Sequence, residues 1–81
     1  MNRNEILERL TPIFREAFRN SNLVISETMT ADDVEKWDSL SNTIMIDSVE
    51  KEFGIRFSFK EIVNMKNIGD MINLIIKHKS F

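Results

Sequence analysis

The residues Trp37-Asp38-Ser39-Leu40 stand where a polar stretch gives way to an apolar helical pattern, and they are the place in this chain where chemistry is most readily built. Asp38 has the type of an N-cap, which puts Ser39 in the first turn of a helix, where free backbone amides and the positive end of the macrodipole favour an anionic group. A hydroxyl there is well placed to carry a phosphate. Local chemistry alone leaves a plainer reading ahead, in which Asp38 caps the helix and Ser39 merely fills its first turn. Ser41 and Ser48 are alternative hydroxyls, expected inside the helix without the free amides of its first turn. His78, the single histidine, falls in the last turn of a C-terminal helix, where a cation complements the dipole. A Ser39-His78-Asp triad would need that end of the chain to fold over the second helix, and no third orienting group is indicated. With no cysteine there is no thiolate nucleophile, disulfide or Cys-based metal site, so no catalytic or metal-binding residue is assigned.

The elements that must position Ser39 follow from periodicity. Two glycines and one proline leave little punctuation for hairpins, and apolar residues recur at three and four, so the fold class expected is all-α. Ile6, Leu10, Phe14 and Phe18 at successive i+4 steps, with an Asn2/Glu5 capping box, predict a first helix over roughly residues 3–19. Pro12 lies inside it, and a kink or break is expected there, with Thr11 able to cap a new helix. From Asn20 to Trp37 a long loop is expected, with a single helical turn capped by Thr30-x-x-Asp33 and with Leu23, Ile25 and Val34 folded onto the core. A second helix runs from Asp38 to Phe53, where Gly54 suits the left-handed position. Met45, Ile46, Val49 and Phe53 form its core face, and Leu40, Ile44, Asp47 and Lys51 line the opposite one. Ser58-x-x-Glu61 caps a short third helix through Val63. Asn67-x-x-Asp70 caps a fourth to about Lys77, with Ile68, Met71, Ile72, Ile75 and Ile76 buried. The architecture expected is a small four-helix bundle with a long loop between helices one and two.

At 81 residues, residues 1–81 read as one domain; such a chain buries only about 60–65% of its unfolded surface, so a large enclosed substrate cavity is not expected. An ordinary enzyme is disfavoured. No apolar run approaches a membrane span and the N-terminal residues carry Glu5 where a signal peptide has its apolar core, so a cytoplasmic monomer without membrane insertion is expected. The formal charge of −2 conceals a segregation: residues 27–52 carry Glu27, Asp32, Asp33, Glu35, Asp38, Asp47, Glu50 and Glu52 against Lys36 and Lys51, a local net of −6. That field repels nucleic acid and attracts basic protein surfaces, although a solvated acidic face kept for solubility accounts for it as well.

Three stretches at matching spacing carry a family resemblance over nearly the whole chain: Asp38-Ser39-Leu40 opening helix two, Val49-Glu50-Lys51-Glu52-Phe53-Gly54-Ile55-Arg56-Phe57 closing it, and Asn67-Ile68-Gly69-Asp70-Met71-Ile72 opening helix four. Together they resemble the acyl carrier protein family. The resemblance implies that Ser39, flanked by Asp38 and Leu40, is where a separate phosphopantetheinyl transferase attaches phosphopantetheine from coenzyme A. The thiol of that arm then holds acyl groups as thioesters for acyl-activating and acyl-transferring enzymes. Such a carrier needs no pocket or thiol of its own, which fits the small size and missing cysteines. Leu40 and Ile44 among acids have the form of a transient docking surface, and Leu40, Ile44, Asp47, Glu50 and Lys51 are its expected members. Lys51 stands where fatty-acid carriers typically have an acid. Trp37 and the Glu-Phe-Gly-Ile-Arg-Phe stretch look more like stand-alone carriers of specialised lipid, polyketide or polysaccharide pathways. An aminoacyl carrier, or an unmodified helical interaction domain using the Leu40/Ile44 face, are the alternatives.

Overall fold

The computed structural model describes residues 1–79. Helices α1 (Arg3–Ala17), α2 (Ser39–Phe53), α3 (Phe59–Asn64) and α4 (Ile68–Lys79) follow one another, with one 3-10 turn (Ala31–Asp33) in the long loop before α2 and no strand among the described residues. The fold is the expected all-helical one. α1 begins with the capping box, Glu5 N–H donating to Asn2 Oδ1 at 2.9 Å and Asn2 N–H to Glu5 Oε1 at 3.2 Å. It runs through Pro12 as one helix, so of the kink or break expected there the break does not occur. The proline is exposed, so the Glu8 carbonyl that its ring deprives of a donor can turn to water, and Thr11 donates back to the Leu7 carbonyl at 2.9 Å instead of capping a new helix.

Ile6, Leu10 and Phe14 of α1 meet Met45, Val49 and Phe53 of α2 and Ile68, Met71, Ile72 and Ile75 of α4 in one buried cluster, joined by Phe18, Ile25, Val34, Ile46 and Phe57. Burying aliphatic and aromatic side chains at about 1.5–3 kcal/mol each is what holds a chain this small together. Ile76, expected in the α4 stripe, is only half-buried, and α4 runs two residues past Lys77.

The long loop is pinned to the helix it faces. Glu27 and Met29 carbonyls accept from Gly69 N–H at 2.8 Å and Ile68 N–H at 3.0 Å, so loop oxygens satisfy amides at the start of α4. A Cβ on Gly69 would lie 3.1 Å from the Glu27 carbonyl, which accounts for glycine there. Arg3 joins three elements, its guanidinium reaching both carboxylate oxygens of Glu27, at 3.1 Å each from Nε, and Asn73 Oδ1 at 2.7 Å. At the far end of α2, Gly54 takes the left-handed conformation (φ 65°). Lys79 Nζ donates to the Phe53 carbonyl at 3.1 Å, and Arg9 donates to the Glu52 carbonyl at 2.9 Å while lying 4.4 Å over the Phe53 ring.

Candidate functional site

Ser39 is the first residue of α2, and the segment before it is held by side chains from both sides. Trp37 packs its ring 5.5 Å from Phe14, edge-on, and 5.1 Å from Phe18, and its indole N–H donates to Asn42 Oδ1 at 2.9 Å. Lys36, just before it, adopts φ 67°, a conformation that a side chain tolerates only at a cost of about 1–2 kcal/mol. Asp38 caps the helix as expected, its Oδ1 accepting from Ser41 N–H at 2.9 Å. That backbone bond, then the Ser41 hydroxyl, holds the Asp38 carboxyl below its ordinary range.

The two serines of the first turn do different work. The Ser39 side chain is exposed, and its hydroxyl makes no hydrogen bond among the described residues. Ser41, at 9% exposure, accepts from Asp38 N–H at 2.9 Å and donates to the Lys36 carbonyl, tying the loop to the helix start. It belongs to the first turn, not deeper in the helix as expected, and it is occupied by that network. Ser48 lies half-buried in the groove between α1 and α2.

Beside Ser39 opens a cleft of about 410 Å³, lined by Trp37 and Asp38 at its rim and by Met45, Ile62, Met65 and Met71 within. It is an open cleft and not an enclosed cavity. On the other side of α2, Leu40 is 72% and Ile44 48% exposed, in keeping with the outward face read from the periodicity. Asp47 and Lys51 lie beyond them and pair with each other at 3.0 Å, so the lysine cancels the acid one turn away. Glu50 is placed differently from the rest of the expected docking set: it is half-buried, and its carboxylate accepts from Phe57 N–H at 2.8 Å, holding the turn into α3.

The curated relatives of this chain are acyl carrier proteins. It is 30% identical to the acyl carrier protein of Thermosynechococcus vestitus over 76 residues, 93% of each chain. It is 32% identical to the acyl carrier protein homolog of Mycoplasma genitalium, over 95% of this chain and 96% of that one. An acyl carrier protein of Rickettsia bellii is 40% identical over 43 residues, a match spanning 53% of either chain, so about half its length is covered. The solution NMR structure of the holo acyl carrier protein of Geobacter metallireducens superposes with a TM-score of 0.83 at 38% identity, over 90% of this chain and 84% of that one. No family model matches. The chain belongs to the acyl carrier protein family.

Within that family frame, several working parts had no signal in the sequence. The acids of residues 27–52 are largely committed inside the molecule. Glu27 pairs with Arg3 and Glu52 with Arg9, both bases from outside the segment; Asp33 and Asp38 cap helical turns, Asp47 pairs with Lys51, and Glu50 holds the Phe57 amide. The carboxylates of Asp32 and Glu35 have no partner among the described residues. His78 does not simply complement the α4 dipole. Its Nε2 lies 3.0 Å from Glu61 Oε1 on α3, with Lys77 Nζ 3.3 Å from Oε2 and the Phe57 ring 5.8 Å away. The Ser58 N–H and then His78 hold the Glu61 carboxyl at about 2. This clasp fixes α3, the helix whose Ile62 and neighbouring Met65 wall the cleft beside Ser39.

Proposed function

We propose that this protein is an acyl carrier whose Ser39 bears a phosphopantetheine arm. The observation that carries the reading is the free, exposed Ser39 hydroxyl at the start of α2, set between a capped, locked backbone and an open apolar cleft. Ser39 supplies the oxygen of the phosphodiester; Asp38 and Ser41 hold the turn on which it stands; Trp37 fixes the approaching loop against Phe14 and Phe18. The residues fit such a group chemically, since a helix N-terminus favours the negative phosphate and the thioether-rich walls of the cleft favour an apolar chain. When bound, the arm supplies the thiol on which acyl groups travel as thioesters, so the protein is a substrate of enzymes and not itself one.

Leu40 and Ile44 form the apolar centre at which a phosphopantetheinyl transferase and acyl-activating and acyl-transferring enzymes dock, with Asp47 and Lys51 at its edge. The paired Asp47/Lys51 edge fits partners other than those that read an acidic helix, in keeping with a specialised lipid, polyketide or polysaccharide pathway in the cytoplasm. Among the described residues no helix is long and apolar enough to cross a membrane. Incubating the protein with coenzyme A and a broad-specificity transferase should raise its intact mass by one phosphopantetheine, and Ser39→Ala should abolish the gain. Retention of the gain in Ser39→Ala would overturn the assignment.

A further inference from the structure

The cleft beside Ser39 is apolar on its floor and polar at its mouth. Met45 and Met71 are buried within it, while Asn42 and Asn67 are half-buried and Lys66 is exposed. Asn42 Oδ1 accepts from the Trp37 indole N–H at 2.9 Å, and Asn67 Oδ1 accepts from Asp70 N–H at 2.8 Å. Both partners can only donate, so each amide is held with its oxygen toward the protein and its NH2 group left over. Neither NH2 group has a partner among the described residues, and nor has Lys66 Nζ. The acid of the lining, Asp38, is committed to the helix start by Ser41 N–H. Apart from Ser39 itself, the free polar side chains at this mouth therefore offer hydrogen-bond donors, two neutral and one cationic. At about 410 Å³ the cleft falls within the roughly 300–1,000 Å³ of small-ligand sites.

We propose that this cleft selects acyl groups with a neutral oxygen acceptor beside the thioester, β-ketoacyl groups above plain saturated ones. The inference rests on the carrier reading and names the cargo of that same site. An arm rooted at Ser39 enters by the mouth, so the carbons nearest the thioester stand among Asn42, Asn67 and Lys66 while the tail lies on the methionine floor. A ketone oxygen accepts hydrogen bonds and donates none, which matches donors without free acceptors. A hydroxyl at the same carbon accepts equally but brings a proton for which the mouth has no free side-chain acceptor. A carboxylate would meet Asp38 on the same rim, with Lys66 as the only cation of the lining to offset it. A saturated chain fills the floor and leaves the donors unmatched. Each hydrogen bond made there is worth about five-fold in the population of the seated chain, and a chain that cannot make it forgoes that factor.

The test compares acyl forms of the whole protein by thermal melts. A broad-specificity transferase moves the acyl-phosphopantetheine of hexanoyl- or β-ketohexanoyl-coenzyme A onto the Ser39 oxygen and releases the nucleotide portion, and intact mass reads the loading. Against the arm-bearing protein without an acyl group, the β-ketohexanoyl form should gain about 4–8 °C more than the hexanoyl form, the equivalent of one net hydrogen bond. Asn42→Asp/Asn67→Asp keeps both acceptors, for the Trp37 indole and for Asp70 N–H, and removes both NH2 groups. It should erase that difference and keep the hexanoyl gain. Lys66→Met changes an exposed side chain and should reduce the difference. Each variant is measured against its own arm-bearing form, so a change in the stability of the fold does not enter the comparison. Equal melts for the two acyl forms would overturn the proposal, and so would a difference that survives both the double variant and Lys66→Met. A gain on attachment of the bare arm that the double variant removes, with no difference between the acyl forms, would assign the donors to the arm's own carbonyls and overturn it equally. Failure to load Ser39 overturns the carrier reading instead, and intact mass alone separates that result from the others.

Discussion

Replacing Ser41 with alanine removes one oxygen atom from the best-connected position at the candidate site. That hydroxyl accepts from Asp38 N–H at 2.9 Å and donates to the Lys36 carbonyl, in a side chain that is almost wholly buried. The N–H of Asp38 and the carbonyl of Lys36 keep only the 3.1 Å bond between themselves, so the change costs a buried hydrogen bond, of order 1 kcal/mol, and the left-handed Lys36 loses one of the two bonds to its carbonyl. A loss of about 1 kcal/mol is an appreciable part of the roughly 4–12 kcal/mol available to a chain of this length. At about 4–8 °C per kcal/mol for a domain of this size, Ser41→Ala should lower the melting temperature by about 4–8 °C. Thermal melts followed by far-ultraviolet circular dichroism measure it, and the transferase assay below the transition should still show full modification because Ser39 is untouched. A variant that melts with the unaltered protein would refute the locking role of Ser41. One that folds but cannot be modified would move the attachment from Ser39 to Ser41.

Phe53→Ala should destabilise the fold by about 3–5 kcal/mol, since it empties a core position and removes the platform under Arg9, whereas Ile44→Ala should cost well under 1 kcal/mol and slow transferase modification instead. Similar urea midpoints for the two variants would show the faces of α2 to be inverted. Pro12→Ala restores a helix donor toward the Glu8 carbonyl and should raise stability by about 1–3 kcal/mol in the same titration; a destabilised variant would mean that Pro12 is required by its setting. Glu61 supplies a pH signature. Its carboxyl titrates at about 2 in the folded protein against 4.5 ordinarily, so the unfolded chain binds the proton first as pH falls. Its stabilising contribution is complete above about pH 4.5 and disappears as pH drops toward 2, and Glu61→Gln should flatten the stability curve across that window while leaving a residual slope of the same sign from Glu27 and Asp38. Parallel curves for the two proteins would contradict the clasp.

What could be read from the sequence was what depends on short spacings. The boxes at Asn2/Glu5, Thr30/Asp33 and Ser58/Glu61 formed as written, because each side chain and the amide it serves are two or three residues apart. The core face of α2 followed from periodicity for the same reason. At α4 the local rule was only half met: Asn67 Oδ1 accepts from Asp70 N–H at 2.8 Å, but the Asp70 carboxylate reaches the amide of Lys66 and not that of Asn67. Contacts between distant residues left no such mark. Arg3 with Glu27 and Asn73, Arg9 with Glu52, and His78 with Glu61 each join elements whose approach is set by the packed bundle. The acidic segment shows the consequence: its charge is correctly counted along the chain, yet arginines from α1 and the backbone amides of turns absorb much of it. Glu50 belongs to the same class, an acid on the expected docking helix drawn aside by the Phe57 amide across the α2–α3 turn. The break allowed for at Pro12 did not occur because the exposed side of a helix tolerates a missing donor that a buried side does not.

The central claim, that Ser39 is the attachment residue of a thioester carrier, is tested most directly by locating the modification. After incubation with coenzyme A and a broad-specificity phosphopantetheinyl transferase, the protein should gain one phosphopantetheine, and fragmentation of the peptide spanning Trp37 to Lys51 should place it on Ser39, with Ser41 and Ser48 unmodified. No mass gain with a transferase that modifies a control carrier, or a gain that maps to Ser41 or Ser48, would contradict the account.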